Sequence, residues 1–232
     1  MEAIVLAGGF GTRLKELVND LPKPMADING KPFLEYLLTW LSRNGVDHTI
    51  LAVGYKADTI EKHFGNEFMG MKLNYSHEFE PLGTGGAIKK AFIKLKNRNK
   101  PAFIVNGDTF FDVDLKQFYD FHHQNKSQFS IVVKKMFNFD RYGSVEIEDN
   151  KISKFKEKTF KEVGFINGGI YLMNQSCLQL LPKKDKFSFE NSFMERYVCD
   201  LAFGALVSDG YFIDIGIPED YFKAIQQLPF RL

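Results

Sequence analysis

Ala3-Ile4-Val5-Leu6-Ala7-Gly8-Gly9-Phe10-Gly11-Thr12-Arg13-Leu14 decides the fold. An uninterrupted apolar run over residues 3–7 ends in glycines. A strand buried on both faces has this pattern, and such strands belong to parallel sheets covered by helices. In doubly wound sheets, ligands bind beyond the carboxyl ends of the strands. Gly8, Gly9 and Gly11 permit positive φ and a close backbone approach there, and successive N–H groups of such a turn form an anion-binding concavity. Thr12 adds a hydroxyl, and Arg13 adds a guanidinium suited to phosphate oxygens. The glycines alone fit a tight turn without a ligand equally well.

Two familiar glycine motifs are excluded. The dinucleotide fingerprint would require glycine where Leu14 stands, and the P-loop pattern is absent. Downstream, Pro22-Lys23-Pro24 presents Lys23 from a stiff segment. A lone lysine is usually a solubilising charge. A lysine fixed ten residues after Arg13, both beyond a glycine turn, is a better candidate for a phosphate clamp.

Outward from this stretch, strands and helices alternate. Pro32 can open a helix in which Phe33, Leu34, Leu37, Leu38, Trp40 and Leu41 recur at helical spacing and Gly45 closes. Residues 49–54 predict a strand, 57–64 a short helix and 72–76 a weaker strand. Thr84 can cap a helix with Ala87, Ile88, Ala91, Phe92 and Leu95 on its apolar face. Residues 102–105 form another buried strand, ending at Asn106-Gly107-Asp108. The second half predicts strands over 130–134, 144–147, 152–156, 164–172 and 211–213, with helices only near 191–199 and 218–228. The expected fold is α/β, Rossmann-like and doubly wound, with a mostly parallel mixed sheet and a small lobe over the strand ends. One domain spans 1–232.

Composition excludes several classes of function. The chain has 232 residues, with 30 Lys and Arg against 29 Asp and Glu. A net charge of +1 gives no electrostatic case for nucleic acid or an anionic membrane as main partner. The 24 phenylalanines read as a Phe-rich core. Cys177 and Cys199 form no CxxC and no zinc spacing. No run approaches the roughly 18 apolar residues of a membrane span, and the N-terminus has no basic region of a signal peptide. A cytoplasmic protein with reduced thiols is expected.

Leu6-Ala7-Gly8-Gly9-Phe10-Gly11-Thr12-Arg13-Leu14 followed by Pro22-Lys23-Pro24 resembles the signature of the sugar-1-phosphate nucleotidyltransferases. The paired signature is far more specific than a lone glycine motif, and the resemblance extends over nearly the whole chain. It implies the nucleotide-diphospho-sugar transferase fold, with about 1–135 as the nucleotide-binding part and about 136–232 as the sugar-binding lobe and sheet completion. It implies that Leu6, Ala7, Gly8, Gly9, Gly11, Thr12 and Arg13 hold the nucleotide, that Arg13 contacts the leaving pyrophosphate, and that Lys23 contacts the phosphates where the bond is exchanged. Pro81-Leu82-Gly83-Thr84-Gly85-Gly86-Ala87 is similar to the family loop that packs on the base, placing Gly83 and Thr84 with the nucleotide alongside Asn106 and Gly107. Asp108 and, in Ile213-Asp214-Ile215-Gly216, Asp214 resemble the family's Mg²⁺ carboxylates.

For the sugar, Tyr142-Gly143, Phe155-Lys156-Glu157-Lys158 and Asn167-Gly168-Gly169-Ile170-Tyr171 resemble the family segments that meet its hydroxyls, through Gly143, Glu157, Lys158 and Asn167. Without the other motifs, Glu157 and Lys158 would read as a solvated charge run. Ile217 stands where threonine is frequent and Gly168 where alanine is frequent. No C-terminal β-helix like that of larger relatives is expected. The implied reaction joins a nucleoside triphosphate and a sugar 1-phosphate, with Arg13, Lys23 and Asp108 as catalytic residues and Mg²⁺ as cofactor. Within the family, the compact length and the segments 81–87 and 214–221 look most like the D-glycero-D-manno-heptose 1-phosphate guanylyltransferases, which implies GTP. A uridylyl- or thymidylyltransferase for a hexose 1-phosphate is the alternative, and so is a non-catalytic nucleotide-sugar-binding regulator. Nucleic acid and membrane are not expected partners, and a homodimer is left open.

Overall fold

The opening apolar run forms β1 (Glu2–Leu6). After it come the hairpin strands β2 (Asp27–Ile28) and β3 (Lys31–Pro32), α1 (Phe33–Arg43), β4 (His48–Val53), α2 (Ala57–Phe64), β5 (Glu67–Phe68), β6 (Met71–His77), α3 (Gly83–Phe92), β7 (Ala102–Asn106), β8 (Thr109–Phe111) and α4 (Leu115–Gln124). The second half contains β9 (Phe129–Phe139), β10 (Ser144–Glu148), β11 (Lys151–Lys156) and β12 (Lys161–Met173). A π-helical turn, Glu190–Met194, then runs into α5 (Glu195–Tyr197), followed by β13 (Phe203–Val207), β14 (Phe212–Asp214) and α6 (Pro218–Gln227). The computed structural model describes residues 1–9, 21–97, 99–156 and 158–231. The expectations for Gly11, Thr12, Arg13 and Glu157 fall outside those residues.

Among the described residues, ten strands make one sheet in the order β10-β11-β13-β9-β12-β7-β1-β4-β6-β5. Successive residues of β1 face opposite cores. Ala3 and Val5 join Phe33, Leu37 and Trp40 of α1 on one side, while Ile4 joins Ile88, Ala91 and Phe92 of α3 on the other. Helices on both faces explain why the run needs no polar alternation.

The sheet is mixed, as expected, but its parallel character is local. The four neighbours β7, β1, β4 and β6 run parallel, and so do β13 and β9. The ladders of β10, β11 and β12 with their neighbours are antiparallel. The expectation of a mostly parallel sheet therefore holds for the first half and is corrected for the second. Parallel pairs need a crossover, usually helical, of a dozen residues or more, and the second half has few helices to supply one.

Three other differences stand out, two of them with local causes. Helix α4 was not expected, because its sequence, Leu-Lys-Gln-Phe-Tyr-Asp-Phe-His-His-Gln, is polar. Its start is nevertheless encoded: Asp114 Oδ1 accepts from the Gln117 N–H at 2.9 Å, an N-cap that satisfies one of the helix's free donors. Strand β13 was also missed. Thr84 does not cap α3. The helix already begins at Gly83, and the Thr84 hydroxyl is engaged elsewhere, donating to Glu190 and accepting from the Phe189 N–H.

Candidate active site

The parallel strands end at a common edge, and each places a different group there. Gly8 follows β1, Gly54 follows β4 and Glu78 follows β6. A Cβ on Gly8 would lie 2.6 Å from Glu78 Oε1. The first glycine of the motif thus lets the Glu78 side chain and the backbone of Gly54, whose nitrogen would lie 3.3 Å from that Cβ, approach closely. Burial pushes the Glu78 carboxyl above the usual carboxylate range, against the opposing pull of the Leu82 N–H that it accepts at 3.1 Å.

The turn between β7 and β8 folds tightly over β1. The Gly107 N–H donates to the Leu6 carbonyl at 3.0 Å, and a Cβ on Gly107 would sit 2.5 Å from that oxygen. This carries Asp108 to the end of β1. Asp214 arrives from far away in sequence through the antiparallel ladder of β8 with β14, in which it pairs with Thr109, while the Ile215 N–H donates to the Asp108 carbonyl at 3.0 Å. Lys23 closes the group. Its ammonium donates to Asp108 Oδ2 at 2.6 Å and lies 3.7 Å from Asp214 Oδ1. The lysine side chain is only 13% exposed. Burial, and then the like charge of Asp108, raise the Asp214 carboxyl above its usual range, while Lys23 and the Gly216 N–H hold it down.

Two cavities meet at this group. One, of about 470 Å³, is lined by Leu6, Gly8, Gly9, Gly83, Thr84 and Asn106, together with Lys23, Asp108 and Glu78. The other, of about 690 Å³, is lined by Gly143, Lys158, Asn167, Arg141 and Asp214. Asn106 and Glu190 belong to both. Of the residues expected with the nucleotide, Ala7 is fully buried and Gly107 packs on Leu6; neither lines a cavity. Gly83 lines the first cavity, but the chemistry that demands glycine faces away from it. Its φ is +70°, and a Cβ would lie 2.6 Å from the Phe187 carbonyl.

Asn167 is presented by a register shift of β12 against β9 between Asn167 and Tyr171. Such irregularities re-aim side chains. Its Nδ2 donates to the Tyr171 hydroxyl at 2.8 Å, and its Oδ1 accepts from the Gly169 N–H at 2.9 Å. The glycine at 168 also has a reason. A Cβ there would sit 2.6 Å from the Phe111 ring and 2.7 Å from the Val132 carbonyl. Arg141, whose guanidinium pairs with the buried Asp220, was not anticipated from the sequence, and neither were Glu78 and Glu190.

Among the described residues no group of three or more His, Cys, Asp or Glu could hold a metal. The pair Asp108 and Asp214 still fits a hard divalent cation. Both offer carboxylate oxygens, and two negative charges beside a single Lys23 ammonium leave room for further positive charge. Mg²⁺ takes one or two carboxylates and completes its shell with phosphate oxygens and water.

Known proteins resemble this chain over nearly its whole length. The chain is 48% identical over 228 residues to a D-glycero-alpha-D-manno-heptose 1-phosphate guanylyltransferase of Aneurinibacillus thermoaerophilus, covering 98% of each chain. It is 48% identical over 223 residues to the enzyme of the same description from Campylobacter jejuni, covering 96% of this chain and 97% of the relative. The structure of HddC from Yersinia pseudotuberculosis complexed with GMP-PN is 40% identical, superposes with a TM-score of 0.86, and matches 97% of this chain and 98% of that one. The family profile described as nucleotidyl transferase matches residues 2–229, and the chain belongs to that family.

Proposed function

We propose that this protein joins GTP and D-glycero-D-manno-heptose 1-phosphate to give GDP-heptose and pyrophosphate. The observation that carries the proposal is Lys23, ion-paired with Asp108 and close to Asp214 where two cavities of substrate size meet. The near-full-length relatives named as heptose 1-phosphate guanylyltransferases support the choice of both substrates. Glu78 supports guanine in particular. A carboxylate beside the first cavity is an acceptor pair that matches the adjacent N–H donors of guanine, whereas the ring nitrogen of adenine at that edge is itself an acceptor. The sheet takes strands from both 1–135 and 136–232, which supports a single domain, within which we assign about 1–135 to the nucleotide and about 136–232 to the sugar. Among the described residues no helix is long and apolar enough to cross a membrane, which is compatible with a cytoplasmic enzyme.

In the proposed mechanism an oxygen of the sugar phosphate attacks the α-phosphorus in line. The new P–O bond forms as the bond to the β-phosphate oxygen breaks, and the electron pair leaves with pyrophosphate. The nucleophile is already an anion, so no protein base is needed. The task is to bring anions together, which makes positioning and charge neutralisation the main contributions. Lys23 offsets charge at the α-phosphate, and Arg13 with the N–H groups of the glycine turn receives the departing pyrophosphate. Asp108 and Asp214 would hold Mg²⁺, which supplies Lewis-acid neutralisation of the phosphates. Gly143, Glu157, Lys158 and Asn167 orient the sugar. The test is Mg²⁺-dependent pyrophosphate release from a panel of four nucleoside triphosphates with heptose, mannose and glucose 1-phosphates. Turnover is expected with GTP and the heptose phosphate. Preferred turnover of UTP or dTTP with a hexose phosphate would replace the assignment, and no turnover with any pair would leave a binding protein.

A further inference from the structure

Glu190 is a carboxylate that the chemistry above does not use, yet it lines both cavities. Its position is firmly built. It opens the π-helical turn Glu190–Met194, and turns of this kind recur at functional sites. Phe189 before it and Phe193 within the turn stack at 5.0 Å and are 1% and 0% exposed, which anchors the turn in the core on the α3 side. The preceding chain is fastened to the start of α3. The Gly85 N–H donates to the Phe187 carbonyl at 3.0 Å, and the Phe189 N–H donates to Thr84 Oγ1 at 2.9 Å.

Only one oxygen of the carboxylate is engaged by the protein, and the other is open to the cavities. Thr84 Oγ1 donates to Oε2 at 2.8 Å, and Ser188 Oγ donates to the same oxygen at 2.7 Å. Among the described residues, Oε1 has no hydrogen-bond partner and no cation pairs with Glu190. An ionised carboxylate only accepts, with about four lone-pair sites over its two oxygens. Its charge repels phosphate, so the phosphates belong on the Lys23 side of the junction. What suits Glu190 is a neutral donor from whatever bridges the two cavities.

We propose that Glu190 reads a hydroxyl of the bound reactants at the junction of the two cavities, accepting its hydrogen bond on Oε1. The donor is a ribose hydroxyl of the nucleotide or a ring hydroxyl of the sugar phosphate. The proposal rests on the assignment of the two cavities to the two substrates, but not on which base or which sugar fills them.

The test is a cycle between residue and substrate on the full chain. kcat/KM is measured for the unaltered protein and for Glu190→Gln, with GTP, 2′-deoxy-GTP and 3′-deoxy-GTP, and then with the sugar 1-phosphate and its monodeoxy forms. Glu190→Gln keeps the size and an acceptor for Thr84 and Ser188 but loses the charge. It is expected to lower kcat/KM with intact substrates by about 10- to 100-fold, the range for a lost hydrogen bond to a charged group. One deoxy substrate should cost the unaltered protein a similar factor and cost Glu190→Gln almost nothing further. Whether that substrate is a deoxy nucleotide or a deoxy sugar identifies the donor. Equal penalties in both proteins for every deoxy substrate would overturn the proposal, as would an unchanged kcat/KM in the variant. If Glu190→Gln fails to fold, Glu190→Asp serves instead, since its shortened carboxylate should lose the same coupling. Turnover of the unaltered protein by some other nucleotide and sugar would reject the substrate assignment alone, and the cycle would then be run on that pair.

Discussion

The two cavities are made of different materials. The first has backbone open to it at Gly8, Gly9, Gly54 and Gly83, on the carboxyl ends of parallel strands and the start of α3, between side chains such as Lys23 and Glu78. The second also has glycines, Gly143, Gly169 and Gly216, but carries more polar and aromatic side chains, among them Arg141, Tyr142, Phe155, Lys158 and Asn167, on antiparallel strands and their connections. A backbone wall recognises what all nucleoside triphosphates share, because N–H groups do not vary with sequence. A side-chain wall can be re-lettered residue by residue. The contrast predicts that damage to the glycine backbone of the first cavity costs stability, and that damage to the side chains of the second changes how the sugar is held.

Lys23→Ala tests the boundary between them and should have the largest effect. A fall in kcat/KM of about 10²-fold or more is expected, comparable to losing one preorganised donor to a developing charge. Steady-state rates with an unchanged kcat/KM would remove Lys23 from the reaction. Next is the backbone wall. Gly83→Ala should destabilise the protein by about 2 kcal/mol or more, since a left-handed residue with a Cβ costs about 1–2 kcal/mol before any clash. Urea unfolding measures this, and a loss under about 0.5 kcal/mol would mean that the Phe187 carbonyl moves aside freely.

Asn167→Ala probes the side-chain wall. About a tenfold rise in KM for the sugar phosphate is expected, the scale of one hydrogen bond, with KM for the nucleotide unchanged. Equal changes in both would blur the division between the cavities. The smallest effect concerns Glu78, a carboxylate of the first cavity that follows β6. Its folded pKa is raised, so its stabilising contribution is present below the ordinary value of 4.5 and is lost as pH rises through the folded value. Glu78→Gln should therefore raise the melting temperature of the ligand-free protein at pH 7. The gain should shrink as pH falls toward 4.5. A melting temperature that falls at pH 7 would contradict this sign.

The same contrast explains what the sequence made legible. The glycine turn, Lys23, Asp108 and Asp214 stand in short local patterns, and the structure brings Lys23, Asp108 and Asp214 together. The strand and helix alternation of the first half was readable because each buried strand is a continuous apolar run. Strand β13 and helix α4 were not. The helix has a polar sequence whose only strong local mark is the Asp114 cap, and the strand is held by a ladder with a distant segment. Glu78 and Glu190 carry no motif. Glu78 looks like part of the charged run His-Glu-Phe-Glu. Glu190 reaches the site because its backbone strap lies on a helix more than a hundred residues earlier, a contact that no periodicity announces.

The pairing of β12 with β7 is where the parallel and antiparallel halves of the sheet join. Asn106 ends one of these strands, and a Cβ on Gly169 of the other would lie 2.9 Å from its amide nitrogen. Neighbouring strands are about 4.8 Å apart, a pitch dictated by peptide hydrogen bonds. The two chambers therefore share a built-in ruler. Asn106 faces both chambers and Gly169 the second, so the wall between the chambers is one strand pairing thick, and a side-chain substitution elsewhere leaves that pairing intact.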